Sequence, residues 1–270
     1  MSANLGVSDV LAKCKAEGRA ALIGYLPVGF PDVEGSIRAM VAMVECGVDI
    51  VEVGLPYSDP LMDGPVIQHA VETALAVGSH VADGFRATQA VRAAGAPALV
   101  MSYWNLILRR GVDRYAAELA AAGGAGLITP DLIPDEADEW IAASEREGLD
   151  RVFLVAPSST PERLSRVTHA CRGFVYAAST MGVTGERTSV GSSARELVDR
   201  TKDVTDLPVC VGLGVSNGDQ AAELAQYADG VIVGTAFVRT LSGDGELGAR
   251  LDALRELTTD LARGVREGAR

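Results

Sequence analysis

Short runs of apolar, largely β-branched residues recur along the chain, each followed by a longer stretch whose apolar positions fall at helical spacing. The runs predict strands at Ala20–Tyr25, Asp49–Val53, Ala98–Ser102, Gly126–Ile128, Arg151–Val155, Gly173–Ala178, Pro208–Val211 and Gly230–Val233. Between them, Asp32 is placed to cap a helix that ends near Gly47, and Thr160 precedes a helix with Pro161 at its first position. Ser193 and Glu196 fit a capping box, which Ser216 and Asp219 resemble. Strands alternating with helices predict a parallel sheet, and eight such units predict a closed (β/α)₈ TIM barrel. A doubly wound open sheet is the alternative. No linker or low-complexity segment interrupts the series, so residues 1–270 read as one α/β domain.

Composition then sets limits. At 270 residues and 48% hydrophobic content, the chain can bury one large core, and a barrel of this kind takes about 250 residues. The formal charge of −12 argues against nucleic acid or an anionic membrane as partner, since both attract basic patches. Cys14, Cys46, Cys171 and Cys210 are scattered with no C-x-x-C pair. That predicts reduced thiols in a cytoplasmic protein rather than a disulfide frame or zinc site. Residues 1–20 lack an apolar signal core, and no apolar run is long enough to span a bilayer.

In a barrel, chemistry gathers at the C-terminal ends of the strands and in the loops that follow. The second predicted strand is the most informative. Alternation sets Ile50 and Glu52 on one face and Val51 and Val53 on the other. A carboxylate on an inner face costs on the order of several kcal/mol unless it is paired or used. Two readings stay open: Glu52 bonds a neighbour and orients a loop, or it is a reacting group. Asp59 and Asp63 follow among Pro56, Pro60, Gly64 and Pro65, which favours a site.

The last two strands end in Gly212–Ser216 and Gly234–Thr235. Singly, such glycines make tight turns. Together, at these two strand ends, they match the recurrent phosphate site of barrel enzymes, where backbone and helix N-terminal amides meet an anion. Neither segment holds a lysine or arginine, so amides and a helix dipole would carry the phosphate.

Missing residues narrow the chemistry further. The only lysines, Lys13, Lys15 and Lys202, fall at no predicted strand end, which disfavours a Schiff base. His69, His80 and His169 show no metal-ligand spacing. There is no Walker motif, and no G-x-G-x-x-G opens a helix after a strand. What remains is carboxylate acid–base chemistry on a small phosphorylated molecule.

The stretch GLPYSDPLMDGPVIQ, with MGVTGERT, VGLGVS and VGTAFV following in order, closely resembles the tryptophan synthase α-subunit family from about Ala20 to the last strand and its helix. The resemblance implies a (β/α)₈ carbon–carbon lyase that cleaves indole-3-glycerol phosphate to indole and glyceraldehyde 3-phosphate. It implies no cofactor in this chain. The expected partner is a pyridoxal-phosphate β subunit in an α2β2 heterotetramer, which receives the indole through a tunnel.

By the same resemblance, Glu52 is the general acid–base residue and Asp63 the carboxylate that accepts the indole N–H. Tyr176 matches a tyrosine near the glycerol moiety, with a core role as its alternative. Tyr25 takes the place of an aromatic that packs on the indole, and Tyr103 lies near the same pocket, more for packing than for catalysis. Gly185, Gly214, Gly234 and Thr235 match phosphate-binding positions, with Thr235 where the family often has serine. Thr184 matches a residue of a loop that closes over the substrate, and at Thr180 other members carry a basic residue. The Pro56–Pro65 loop resembles the partner-facing loop; its alternative role is a rigid support for Asp63. Other classes remain in view: a phosphate-binding isomerase or epimerase, a stand-alone indole producer, and a silent activator of a β subunit. Intact Glu52 and Asp63 speak against the last.

Overall fold

The computed structural model describes residues 6–178, 192–212 and 214–268. The apolar runs form nine strand segments: β1 (Ala21–Pro27), β2 (Ile50–Gly54), β3 (Ala98–Met101), β4 (Gly126–Ile128), β5 (Asp150–Val152), β6 (Leu154–Val155), β7 (Val175–Ala178), β8 (Val209–Gly212) and β9 (Gly230–Val233). They pair in parallel in the order β5-β4-β3-β2-β1-β9-β8-β7-β6. The two ends of that order, β5 and β6, are separated in the chain by Phe153 alone, so the ring closes through the chain itself. This is the TIM barrel, with its fifth strand in two pieces.

The predicted single strand Arg151–Val155 is therefore corrected, and the cause is a change of neighbour. Val152 pairs with Ile128 of β4, whereas Leu154 pairs with Tyr176 of β7. Phe153 is the pivot, and its carbonyl accepts from the Tyr176 amide at 3.2 Å. The first two strands each start one residue later than predicted. Asp49, just before β2, is held instead as an anchor: its carboxylate accepts from the Arg19 guanidinium at 2.8 and 2.9 Å and from the Leu22 amide at 2.8 Å. The predicted sixth strand begins at Val175, after Gly173 turns the chain at φ +88°.

Two predicted helix caps hold. The Asp32 side chain accepts from the Gly35 amide at 2.7 Å and starts helix Val33–Glu45, while Gly47, at φ +110°, lies just past its end. Thr160 accepts from the Arg163 amide at 3.3 Å, with Pro161 at the first helical position. Two others move. Helix Ser192–Lys202 already contains Ser193, which is therefore not its cap. Helix Gly218–Ala225 is capped by Asn217, which accepts from Gln220 N at 3.0 Å, and Ser216 instead donates its amide to Gln220 Oε1 at 2.8 Å.

Alternation along the strands sorts apolar side chains into two cores. Val51, Val53, Val100, Leu127, Val211 and Val231 face the surrounding helices. Ile23, Ile50, Leu99, Ile128, Val152, Cys210 and Ile232 fill the barrel interior. Helix Val7–Ala16 closes the N-terminal end of that interior by packing Val7, Leu11 and Cys14 against those residues. Each such side chain contributes roughly 1.5–3 kcal/mol by leaving water. With the bottom plugged, the polar interior positions are pushed to the opposite end, where the strands finish. No helix among the described residues is long and apolar enough to cross a membrane.

Candidate active site

Glu52 sits one alternation above Ile50 on β2, facing the interior as the sequence predicts. Its register partner on β1 is Tyr25, so the two side chains stand side by side. Glu52 is fully buried, and among the described residues neither carboxyl oxygen has a hydrogen-bond partner. No described residue supplies the amide or side-chain partner that the loop-orienting reading calls for. Burial pushes its carboxyl up to about 8, so at neutral pH it is an acid holding its proton.

Two tyrosines flank this carboxyl, and both fit because a glycine stands opposite. A Cβ at Gly54 would lie 2.6 Å from the Tyr25 hydroxyl, and one at Gly234 would lie 3.2 Å from its ring. A Cβ at Gly212 would lie 2.6 Å from the hydroxyl of Tyr176. Gly54 was not singled out in the sequence, although a glycine closing a strand signals just such a close approach. Burial raises both phenols well above their ordinary range, and Glu52 adds to the effect on each.

Asp63 lies in the loop after β2, half-buried, and Tyr103 fixes that loop. The Tyr103 hydroxyl accepts from the amides of Leu61 (3.0 Å) and Met62 (3.3 Å) and donates to Asp63 Oδ1 at 3.3 Å. Burial raises the Asp63 carboxyl above the usual range, and the Tyr103 hydrogen bond draws it back. Tyr57 stacks on Tyr103 with ring centroids 5.1 Å apart, and Asn105 Nδ2 donates to the Tyr57 hydroxyl at 3.3 Å. Tyr103, expected mainly to pack, is thus the hydrogen-bonded mount of Asp63. Asp131 likewise holds the start of helix Trp104–Arg110, accepting from the Trp104 amide at 2.9 Å. Asp59, in contrast, is exposed and bonds only to its neighbour Ser58, at 2.6 Å.

On the other side of the mouth, Gly214 takes φ +51°, a conformation that favours glycine. Gly234 caps helix Thr235–Thr240, and Thr235, its first residue, is buried. The first turn of any helix carries amides without intrahelical partners. Gly212 and Gly234 therefore have a second reason to be small, the tyrosine rings beside them. Thr180, Thr184 and Gly185 lie outside the described residues. A cavity of about 390 Å³ flanks the mouth, walled in part by Met62, Ile133, Leu154 and Ala178, but neither Glu52 nor Asp63 lines it. The three lysines stay away from the mouth: Lys13 and Lys15 are on the plugging helix, and Lys202 pairs with Asp229 at 2.9 Å.

Comparison with known proteins agrees with this arrangement. The family model for the tryptophan synthase alpha chain matches residues 11–265. The tryptophan synthase alpha chain of Mycolicibacterium paratuberculosis is 61% identical over 97% of this chain and 95% of its own length. That of Thermobifida fusca is 60% identical over 96% and 97%. A solved structure of Mycobacterium tuberculosis tryptophan synthase superposes with a TM-score of 0.91 at 60% identity, covering 96% of this chain and 98% of that one. A mutant α-subunit from Pyrococcus furiosus still reaches 0.83 at 31% identity, over 90% of this chain and 98% of its own. With the barrel, the buried glutamate and the aspartate loop in place, the chain belongs to the tryptophan synthase alpha chain family.

Proposed function

We propose that this chain cleaves indole-3-glycerol phosphate to indole and glyceraldehyde 3-phosphate. The observation that carries this reading is Glu52: a fully buried carboxyl on β2 without a hydrogen-bond partner among the described residues, held protonated at neutral pH between two tyrosine rings. Breaking the bond between indole C3 and the glycerol chain requires a proton on C3 and removal of one from the adjacent hydroxyl. Glu52 in its acid form supplies the first, and its carboxylate is then the nearest base for the second. Asp63, steadied by Tyr103, accepts the indole N–H and offsets the positive charge that C3 protonation places on the ring. Gly214, Gly234 and Thr235 bind the phosphate through backbone amides, joined by Gly185, with Thr184 over the substrate.

The partner in this reading is a β subunit in an α2β2 assembly, in the cytoplasm, to which the Pro56–Pro65 loop is presented. Pyridoxal phosphate belongs to that subunit, where it converts the indole to tryptophan; this chain brings no lysine to its mouth that would hold the cofactor. The test is indole release from indole-3-glycerol phosphate by the purified chain, with and without a β subunit. Wild type should release indole, faster with the partner, and Glu52→Gln should lose about a thousandfold or more. Indole release surviving in Glu52→Gln would place the acid elsewhere. No indole from wild type under either condition would sink the reading.

A further inference from the structure

The Tyr25 hydroxyl makes no hydrogen bond within the described part of the fold. Tyr25 is nine-tenths buried, yet its hydroxyl bonds to none of the described residues. The phenol of Tyr103 is the reverse case, with its oxygen committed to two amides and a carboxylate. The ring of Tyr25 lies across the top of β1, with one edge against Gly234 of the β9 end and its hydroxyl against Gly54 of β2. The hydroxyl is therefore carried to the level of Gly54, one alternation above Glu52 on the same face. Asp63, Tyr103 and Glu52 are the charged and titrating groups that bear on it. Packing alone would be served by phenylalanine, so the oxygen calls for a partner outside the fold. Tyr25 and Glu52 stand on paired positions of adjacent strands, the carboxyl buried and without a hydrogen-bond partner among the described residues, the phenol oxygen uncommitted, and together they point to one shared ligand.

We propose that the Tyr25 hydroxyl is a substrate-binding group, hydrogen-bonded to the substrate hydroxyl on the carbon attached to the indole ring. This rests on the lyase reading above. The carbon in question lies between the ring held by Asp63 and the proton supplied by Glu52, which is the space the Tyr25 oxygen borders. The bond fixes the rotation of the glycerol chain, so that the breaking carbon–carbon bond stands out of the indole plane. Gly54 is part of the same device, since any side chain there would displace the phenol.

The experiment compares wild type with Tyr25→Phe, which keeps the ring and removes only the oxygen. Two ligands are used: indole-3-glycerol phosphate, and an analogue with an unsubstituted propyl chain in place of the glycerol. The expected result is a loss of about tenfold in kcat/KM for the substrate, the worth of one neutral hydrogen bond. The inhibition constant of the analogue and the thermal midpoint should stay at their wild-type values. Wild-type kinetics in Tyr25→Phe would overturn the inference and leave the lyase reading standing. So would an equal weakening of both ligands, which would mean that the ring and not the oxygen does the binding. A wild-type chain that releases no indole would overturn both together.

Discussion

One acid stands just before β2 and another in its middle, and the two are treated in opposite ways. Asp49, at the bottom of the barrel, is gripped by the Arg19 guanidinium and the Leu22 amide. Glu52, three residues further up, is more deeply buried and receives no hydrogen bond from the described residues. An acid supplied with donors ties elements together; an acid denied them keeps its proton and is ready to give it away. The same strand thus separates the half of the barrel that holds the fold from the half that reacts. The stability lost at Glu52 is offset by the surrounding cores rather than by local contacts.

The largest effect that sharpens this contrast is on turnover. Glu52→Gln should lose about a thousandfold or more in indole release while its denaturation midpoint at pH 8 rises. Asp49→Asn should leave turnover per folded molecule near wild type while its midpoint falls. Loss of activity in both, with no gain in stability in the first, would erase the distinction between the two acids. Next in size, Arg19→Met strands the Asp49 carboxylate and should destabilise by about 2–4 kcal/mol in urea unfolding, with kcat unchanged.

A third effect appears on titration. The folded Glu52 holds its proton up to about 8, whereas the unfolded chain releases it in the usual carboxylate range. Between those limits the native state binds more protons, so stability must fall as pH rises and level off above about 8. Unfolding midpoints of wild type should converge on those of Glu52→Gln as pH is lowered towards 4.5. An acid-requiring step should also lose kcat/KM as pH passes about 8. The smallest effect is at Tyr103→Phe, which removes the acceptor of two loop amides and the donor to Asp63. It should lower kcat/KM about tenfold, and the Asp63 carboxyl should titrate higher without that bond.

Much of this was legible in the sequence because it is periodic or local. Alternation alone set Glu52 inward, and the capping residues Asp32 and Thr160 act within three positions of themselves. What was not legible depends on distant partners. Arg151–Val155 reads as one uniform strand, and only the competition between β4 and β7 divides it at Phe153. Tyr103 looks like any aromatic beside a helix until the fold brings Leu61, Met62 and Asp63 to its hydroxyl. Gly54 signals a close approach, but what approaches, the Tyr25 ring, shows only once β1 is paired with β2.

The helix that plugs the barrel has a consequence for the order of assembly. Val7, Leu11 and Cys14 pack on side chains drawn from around the whole ring, the last of them Ile232. On a ribosome adding roughly 5–20 residues per second, the helix waits on the order of ten to forty seconds before its seat is complete. Throughout that interval the apolar face of this helix is open to water and to other chains. A segment made early is thus among the last to be sheltered, and a chaperone holding that apolar face would bridge the interval.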